Sequence, residues 1–391
     1  MTALFPRKGN IIMTRIFIIR HAEAEGNLFR RVQGWHDGKI TPRGMRQIAA
    51  LAGRFKDERI DALYSSDLSR TVTTATAITK YHDIALNIEP QLREVCMGEW
   101  ENMTWGDVEK RSPEQLANFS SDPDNWHVEG SESFQHLGDR MLEAVLRLGR
   151  KHDGQTIVLV SHGMAIRSLH CRVLGVPSRD VAAIPHGDNT CVSLYEYEAG
   201  HLTPVYRNDN SHFDSETSTF AHQTWWRKRS GADRNNLRFE QLDLERESDY
   251  YEKCYSGAWQ AVYGSLDAFD PNAYLMNARR HAADPGCIVK VCSGPEEIGL
   301  VELDVRRGAQ EGYCWVSLLY LDGEHRHMGY GAQLIGHAVA VAREMDLPRL
   351  QLNVAECNED AMRFYRGLGF EQIGTDLGVC GLLRRMQLII P

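Results

Sequence analysis

The sequence predicts an α/β protein of two domains, and three observations support this fold class. The chain has 391 residues, more than one hydrophobic core usually organises. Short apolar segments alternate with helical patterns in both halves, as in sheets that are covered by helices. Between the halves, residues 213–236 are rich in Ser, Thr and charged side chains without a sustained period, which is typical of a linker. The predicted divisions are an extension over 1–13, a first domain over 14–212 and a second domain over 237–391.

The composition is that of an ordinary globular protein. Charged residues make up 25% of the sequence and apolar residues 42%, and no stretch approaches the length of a membrane span. The net charge of -9 gives no long-range attraction to nucleic acid, so small anions are favoured as partners. The nine cysteines form no Cys-x-x-Cys pair and no signal peptide precedes the first strand, which predicts reduced thiols in the cytoplasm. Met13 directly precedes that strand and is a candidate for the true start.

The first strand, Ile16 to Ile19, ends at Arg20 and His21. Its uninterrupted apolar run is typical of a strand that is buried on both faces of a parallel sheet. Such sheets bind their ligands at the carboxyl ends of the strands. A guanidinium beside an imidazole repels a metal cation but suits an anion, above all phosphate. The sequence therefore predicts an anion site without metal at this edge.

Two further strands bring charged residues to the same edge. A strand over 60–64 leads into a helix that carries Arg70 in its first turn. A strand over 156–160 leads into His162 and another helix, which repeats the order of apolar strand, histidine and turn. Two arginines and two histidines are thus predicted to share one edge of the sheet.

Glu94, in the segment LREVCMGEW, adds a candidate proton donor to this set. The combined motifs resemble the histidine phosphatase superfamily, in its branch of phosphoglycerate-mutase-like phosphatases. They occur in family order over about 200 residues and are Arg20-His21-Ala22-Glu23 with Asn27, Gln33-Gly34, Thr41-Pro42-x-Gly44, Ser66-Asp67-Leu68-x-Arg70-Thr71, Leu92-x-Glu94, Gly98-x-Trp100-Glu101 and Ser161-His162-Gly163. The resemblance implies a three-layer α/β/α fold for the first domain.

The same resemblance implies metal-independent hydrolysis of a phosphate monoester in a small phosphorylated metabolite. His21 is the expected nucleophile, which forms a phosphohistidine, and Glu94 is the expected acid. The expected phosphate ligands are Arg20, Asn27, Gln33, Arg70 and His162. Of these, Arg20, Arg70 and His162 are also expected to be catalytic, because they neutralise the charge of the dianion. Mutases of the family typically carry a longer insert near the acid, so hydrolysis is favoured and a phosphomutase is the alternative. Glu99 and Glu101 are interpreted as solvated or structural.

The second domain shows another alternation of apolar strands and helical patterns. Its predicted strands are 287–292, 298–305 and 314–321. The turn EHRHMGYGAQL over 324–334 then precedes a helix that runs to about Met345. Gly329 and Gly331 allow the backbone amides of this turn to approach an anion at the positive end of the helix. A Gly-x-Gly turn alone is weak evidence, and a tight connection is the alternative interpretation.

Downstream motifs extend this pattern into a second resemblance. After a strand over 350–354 come Asn358-Glu359-Asp360-Ala361, Phe364-Tyr365 and Gly367-Leu368-Gly369-Phe370. With Arg326-x-x-Gly329-x-Gly331, these motifs resemble the GNAT acetyltransferase family over about 150 residues, which implies a mixed α/β sheet domain. The resemblance implies acetyl-CoA as co-substrate and a small amine as acceptor. The cofactor-binding residues that it implies are Arg326, Gly329, Gly331, Ala332 and Asn358, and Tyr365 is expected to protonate the leaving thiolate.

Transfer to an amine needs a base, and Glu302 on the strand before the turn is the candidate. An exposed strand carboxylate is the alternative interpretation of Glu302. An alternative for the whole second domain is a sensor that binds acetyl-CoA without transferring its acetyl group.

The linker and the positions of the motifs on either side of it indicate whether the two predicted activities depend on each other. Trp225 and Trp226 stand out in the linker, because large aromatic side chains usually dock on a neighbour. All recognised residues of the first site precede the linker, and all those of the second site follow it. The sequence therefore predicts two chemically independent activities and a fragment starting near Asn235 that folds.

Overall fold

The computed structural model describes residues 13–223 and 236–390. The predictions for residues 1–12 and for the docking of Trp225 and Trp226 lie outside these residues. The strands are β1 (Thr14–Arg20), β2 (Ala62–Ser65), β3 (Leu86–Ile88), β4 (Thr156–Ser161), β5 (Val192–Glu198), β6 (His201–Asp209), β7 (Leu237–Gln241), β8 (Ile288–Ser293), β9 (Glu296–Gly308), β10 (Tyr313–Leu321), β11 (Arg349–Ala355), β12 (Glu371–Gly378) and β13 (Gly381–Ile389). The α-helices are α1 (Glu25–Phe29), α2 (Pro42–Phe55), α3 (Ser69–Thr79), α4 (Trp105–Arg111), α5 (Pro113–Ser121), α6 (Phe134–Lys151), α7 (Gly163–Leu174), α8 (Ser248–Tyr263), α9 (Pro271–Ala278), α10 (Tyr330–Glu344) and α11 (Glu359–Gly367). Of the helices in the described ranges, none has the length and apolar character needed to cross a bilayer.

Backbone contacts divide the chain into two compact units. Among the described residues, the first unit contains 13–24, Gln33–Glu101 and Ser112–Ala221. The second unit contains Glu25–Val32 and Asn102–Arg111 together with the described residues from 222 onward. Two segments that precede the linker, including α1 and α4, thus pack within the second unit. The domain boundaries inferred from the sequence remain a prediction.

The first unit is built on a six-stranded sheet in the order β3-β2-β4-β1-β5-β6. The first four of these strands pair in parallel, and β5 and β6 are antiparallel to their neighbours. Helices α2 and α3 share a core with one face of β1 and β4, to which Leu51, Ile78 and Val158 belong. Helices α6 and α7 contact β1 outside that core, so the sheet lies between helical layers as the first resemblance implies.

Register places two of the predicted site residues, His21 and His162, at one edge of the sheet. β1 and β4 pair in parallel from Arg15 with Thr156 to Arg20 with Ser161. The backbone N–H of His21 continues the ladder by donating to the carbonyl of Ser161 at 2.9 Å. The residues that follow β1 and β4 therefore leave the sheet side by side, as the sequence predicts.

The second unit is built on a seven-stranded sheet in the order β12-β13-β11-β10-β9-β8-β7. Its described strands pair antiparallel except for β10 with β11, which are parallel. Helix α10 packs into the core through Leu334, Ile335 and Ala338, and Phe29 of α1 belongs to the same buried cluster. The predicted strands of this half and the helix ending near Met345 are confirmed, with ends that differ by up to three residues.

Candidate active sites

His21 is held at the edge of the first sheet as a neutral imidazole. Its side chain is buried, and Nδ1 lies 2.7 Å from the carbonyl oxygen of Ala22. Because a carbonyl oxygen only accepts hydrogen bonds, Nδ1 carries the proton and Nε2 carries the lone pair. Burial, followed by the charges of Arg70 and Arg20, lowers the pKa of His21 well below its ordinary value. The imidazole is thus in the protonation state that a nucleophile requires.

Arg70 and His162 form a buried pair near His21, with the two imidazole centroids 5.3 Å apart. Burial, followed by the charge of Arg70, lowers the pKa of His162 well below its ordinary value, so this ring is also neutral. Nε of Arg70 donates to Nδ1 of His162 at 3.2 Å, and Nε2 of His162 therefore carries the proton and donates to Oγ of Ser66 at 2.7 Å. Both nitrogens of His162 are engaged by protein groups. Direct contact of His162 with phosphate would require one of these hydrogen bonds to break.

Arg20 and Gln33 present buried hydrogen-bond donors that fit an anionic ligand, namely Nε of Arg20 and Nε2 of Gln33. NH1 of Arg20 donates to the carbonyl of Gly187 at 2.6 Å. Within the described residues, Nε of Arg20 and both amide atoms of Gln33 are buried without a hydrogen-bond partner. An unsatisfied buried donor costs about 1–3 kcal/mol, a cost that phosphate oxygens would relieve. Over residues 13–223 and 236–390, no group of three or more His, Cys, Asp or Glu side chains is placed to hold a metal ion.

Glu94 is buried against the start of α7, the helix that follows His162 directly. Oε1 of Glu94 accepts from the backbone amides of Val95 at 3.0 Å and Ala165 at 2.9 Å. Oε2 accepts from the amide of Met164 at 3.0 Å. The predicted acid is therefore fixed to the same chain segment as His162, which brings it to the edge where His21 lies.

Asn27 differs from the other predicted phosphate ligands because it lies on α1, in the second unit. Its backbone carbonyl accepts from Nε2 of Gln223 at 2.8 Å. This contact orients the backbone and does not define a role for the amide side chain. Phosphate binding by Asn27 therefore stays a prediction.

Arg140 on α6 supports the loop that carries Glu94, and it is not among the site residues that the sequence predicts. Its guanidinium donates to the carbonyls of Gln91 at 2.6 Å, Arg93 at 2.9 Å and Glu94 at 2.8 Å. Glu132 balances its charge with contacts of 2.6 and 2.8 Å. The sequence signal for this role of Arg140 is weak, because it consists only of an arginine next to Met141 on the buried face of an amphipathic helix.

For Glu101, which the sequence indicates is solvated or structural, the structure supports a structural role. It is partly buried and accepts hydrogen bonds from four backbone amides. Glu99, interpreted in the same way, is exposed. The place of Glu101 in the motif Gly98-x-Trp100-Glu101 is the sequence signal that distinguishes the two.

In the second unit, β10 pairs with β11 over only the first part of its length. The two strands pair over three residue pairs, from Cys314 with Leu350 to Val316 with Leu352. The pairing of β10 with β9 becomes irregular between Val316 and Leu318. The pairing of β10 with β11 ends at Val316 with Leu352, whereas β10 itself continues to Leu321. The edge of β10 that faces β11 is therefore available to an extended ligand.

The glycine turn lies directly beyond this edge, at the start of α10. Gly329 is the N-cap of the helix with φ 83°, and His327 also has positive φ at 60°. A Cβ at Gly331 would lie 2.8 Å from the ring of Phe364, so a side chain there would displace that ring. Nε of Arg326 donates to the carbonyl of Leu321 at 2.9 Å and ties the turn to the end of β10. Ala332, in the first turn of α10, is buried.

Asn358 and Tyr365 are placed by α11. Oδ1 of Asn358 accepts from the amide of Ala361 at 3.1 Å, so its side chain caps the helix. The ring of Tyr365 packs between Phe364 and Phe370, with centroids 5.2 and 5.3 Å away. Burial raises the pKa of the Tyr365 phenol above its ordinary value. The phenol therefore stays protonated near neutral pH, as a proton donor must.

Glu302 is buried and not an exposed strand carboxylate, which excludes the alternative interpretation. Oε2 accepts from the phenols of Tyr251 at 2.7 Å and Tyr255 at 2.5 Å. Oε1 lies 2.9 Å from Nε2 of His281. The carboxylate raises the pKa of both phenols, after burial itself. The Glu302 carboxylate is thus enclosed by two hydroxyl groups and an imidazole.

Comparison with known proteins agrees with both halves of this description. The family model described as histidine phosphatase superfamily (branch 1) matches residues 16–210, and that of the acetyltransferase (GNAT) family matches residues 245–370. Phosphoserine phosphatase 1 of Hydrogenobacter thermophilus is 32% identical over 164 residues, which are 42% of this chain and 78% of that protein. The metal-independent phosphoserine phosphatase of Arabidopsis thaliana is 34% identical over 164 residues, which are 41% of this chain and 69% of that protein.

A solved structure gives the same result for the fold. Bacillus stearothermophilus YhfR is 28% identical and matches with a TM-score of 0.50 over 51% of this chain and 98% of its own. Both family predictions made from the sequence are thus confirmed. The chain belongs to the histidine phosphatase superfamily through its first half, and its second half carries a domain of the GNAT acetyltransferase family.

Proposed function

We propose that the first domain hydrolyses a small phosphate monoester through a phosphohistidine at His21, without a metal ion. The observation that carries this proposal is the state of His21, which is neutral, buried and protonated on Nδ1 so that Nε2 holds the lone pair. Arg20 and Arg70 lie close enough to shift its pKa, and they are also the charges that neutralise a phosphate dianion.

The chemistry then follows from the groups present. Nε2 of His21 attacks phosphorus, the bond from phosphorus to the leaving oxygen breaks, and its electron pair leaves on that oxygen. Glu94, in its acid form, gives the proton that makes the leaving group an alcohol. A water molecule then attacks the phosphohistidine, Glu94 takes the proton of that water, and phosphate and the neutral imidazole are released.

Phosphoserine is the first substrate to test, because the two relatives described above are phosphoserine phosphatases. We expect the wild-type protein to release phosphate from phosphoserine in the presence of EDTA and His21→Ala to release none. Loss of wild-type activity in EDTA, or activity in His21→Ala, would contradict the scheme. Transfer of the phosphoryl group to a second metabolite hydroxyl in preference to water would identify a phosphomutase instead.

We propose that the second domain transfers the acetyl group of acetyl-CoA to a small amine. The separation of β10 from β11 carries this proposal, because it exposes a strand edge that ends at the glycine turn of α10. Backbone groups of residues 318–321 fit an extended pantetheine arm, and the α10 amino terminus fits a pyrophosphate. Arg326 and Gly329 lie in that turn, Gly331 and Ala332 lie in the first turn of α10 itself, and Asn358 supports α11 as its cap.

The remaining chemistry belongs to Tyr365 and to the Glu302 cluster. Tyr365 holds a proton for the leaving thiolate, since burial keeps its phenol neutral. Glu302 receives the proton of the amine through Tyr251 or Tyr255, whose hydroxyls already donate to it. Isothermal titration with CoA, paired with an acetyl-transfer screen over amines, tests the proposal. Binding with transfer to at least one amine is expected, whereas binding without any transfer would identify a sensor.

A further inference from the structure

The Glu101 carboxylate binds the backbone of two loops at once. Oε1 accepts from the amides of Trp35 at 2.8 Å and Met97 at 2.9 Å. Oε2 accepts from the amides of Gly34 at 3.2 Å and His36 at 2.8 Å. Each oxygen thus takes two amides, and the negative charge makes all four hydrogen bonds charge-assisted.

The first of these loops holds Arg70. The carbonyl of Gly34 accepts from NH2 of Arg70 at 2.6 Å, and the carbonyl of His36 accepts from NH1 at 2.9 Å. The third nitrogen of the guanidinium, Nε, donates to Nδ1 of His162. Two of the four residues whose amides bind Glu101, Gly34 and His36, therefore also provide the carbonyls that set the plane of the Arg70 guanidinium.

The second loop carries Glu94. Met97 lies on the same loop as Glu94, and Nε1 of Trp35 donates to the Glu94 carbonyl at 2.9 Å. A Cβ at Gly34 would collide with Oε1 of Glu101 and with the carbonyl oxygen of Val95. The two loops are thus in direct contact around Glu101, and the contact requires glycine at position 34.

We propose that Glu101 is a positioning residue that fixes Arg70 and the Glu94 loop at the separation needed to bind a phosphate monoester. The proposal rests on the phosphatase activity proposed above. Glu101 touches neither the phosphate nor His21 in this scheme. It acts through Gly34 and His36 on the guanidinium, and through Met97 on the loop of the acid.

The test is Glu101→Gln, with Glu99→Gln as its matched control. Glutamine keeps one acceptor oxygen and turns an NH2 group toward two backbone N–H groups, so two of the four hydrogen bonds are lost. We expect the KM for an aryl phosphate and the Ki of inorganic phosphate to rise about tenfold, because Arg70 loses its alignment. Glu99→Gln removes the same charge from an exposed position of the same turn and should change neither constant. Glu101→Asp keeps both oxygens on a shorter side chain and should recover part of the affinity.

The outcomes separate this inference from the proposed function. A Glu101→Gln protein that melts like the wild type and binds inorganic phosphate within twofold of it would overturn the positioning role. Equal effects of Glu99→Gln and Glu101→Gln would overturn it too, because net charge would then explain the change. Should Glu101→Gln fail to fold, Glu101→Asp and Gly34→Ala take its place, and unchanged phosphate affinity in both would overturn the role. A wild-type protein that binds phosphate but hydrolyses no ester would refute the proposed function, and phosphate binding would still test Glu101.

Discussion

Phe29→Ala should destabilise the second unit, although Phe29 lies among the motifs of the first half of the sequence. The side chain is 7% exposed and belongs to the buried cluster around α10. A Cβ on Gly336 would lie 2.5 Å from Cβ of Phe29, so α1 and α10 are in close contact and Gly336 has no side chain to fill the cavity. Truncation of a buried Phe to Ala costs about 3–5 kcal/mol, a large part of the roughly 5–15 kcal/mol by which a domain is stable.

Hydrogen exchange followed by mass spectrometry can localise this loss. Peptides from α10 and β11 should exchange faster in Phe29→Ala, while peptides from β1 and β4 should keep their protection. Phe55→Ala is the matched control, because Phe55 is 2% exposed in the core of the first unit and should give the reverse pattern. Unchanged exchange of α10 in Phe29→Ala would refute the assignment of α1 to the second unit.

The same reasoning revises one expectation from the sequence. A fragment starting near Asn235 lacks Phe29 and the rest of α1. Such a fragment also lacks α4, which belongs to the second unit as well. We therefore expect the fragment to be less stable than the second unit of the full chain by more than the roughly 3–5 kcal/mol of the Phe29 truncation. The two chemistries can still be independent, because this difference concerns folding and not the reacting groups.

Three further predictions concern the reacting groups themselves. Glu94→Gln should slow hydrolysis of phosphoserine about a hundredfold and that of nitrophenyl phosphate far less, since only a poor leaving group needs the proton, and equal losses would identify a different acid. Because the pKa of His21 lies below its ordinary value of 6.5, the acid limb of kcat/KM, corrected for substrate ionisation, should lie below pH 6.5. Below pH 6.5 the imidazole of His21 is protonated in the unfolded chain but stays neutral in the folded one, so the free energy of unfolding should also fall as the pH drops below 6.5. A titration midpoint of the His21 imidazole at or above 6.5 would contradict both statements. Tyr365→Phe keeps the ring between Phe364 and Phe370 and should preserve CoA affinity while slowing acetyl transfer about a hundredfold, whereas an unchanged transfer rate would exclude Tyr365 as the acid.

The parts of the fold and site that the sequence predicted depend on local rules. Apolar runs fix β1 and β4 as inner strands, and parallel pairing brings the residues after them to one edge. This rule is sufficient to bring His21 and His162 together.

The parts that the sequence did not predict depend on loop conformation and on distant packing. Glu101 differs from Glu99 through the four backbone amides that donate to it in the folded loops. The motif Gly98-x-Trp100-Glu101 marks the position of Glu101 but does not specify those four contacts. Helix α1 has five residues, too few to show a period that would reveal its packing on α10. The burial of Glu302 under two tyrosines of α8 is a tertiary contact between residues about fifty positions apart.

The most direct test of the central claim is to trap the phosphorylated enzyme. Wild-type protein mixed with labelled phosphoserine, quenched in alkali within one turnover and digested, should give one phosphopeptide with the label on His21. The label should be stable in base and lost in acid, should persist with EDTA present during the reaction, and should be absent from His21→Ala. A label on another residue, or steady turnover by the wild type with no label on His21 under any quench time, would contradict a phosphohistidine at this position.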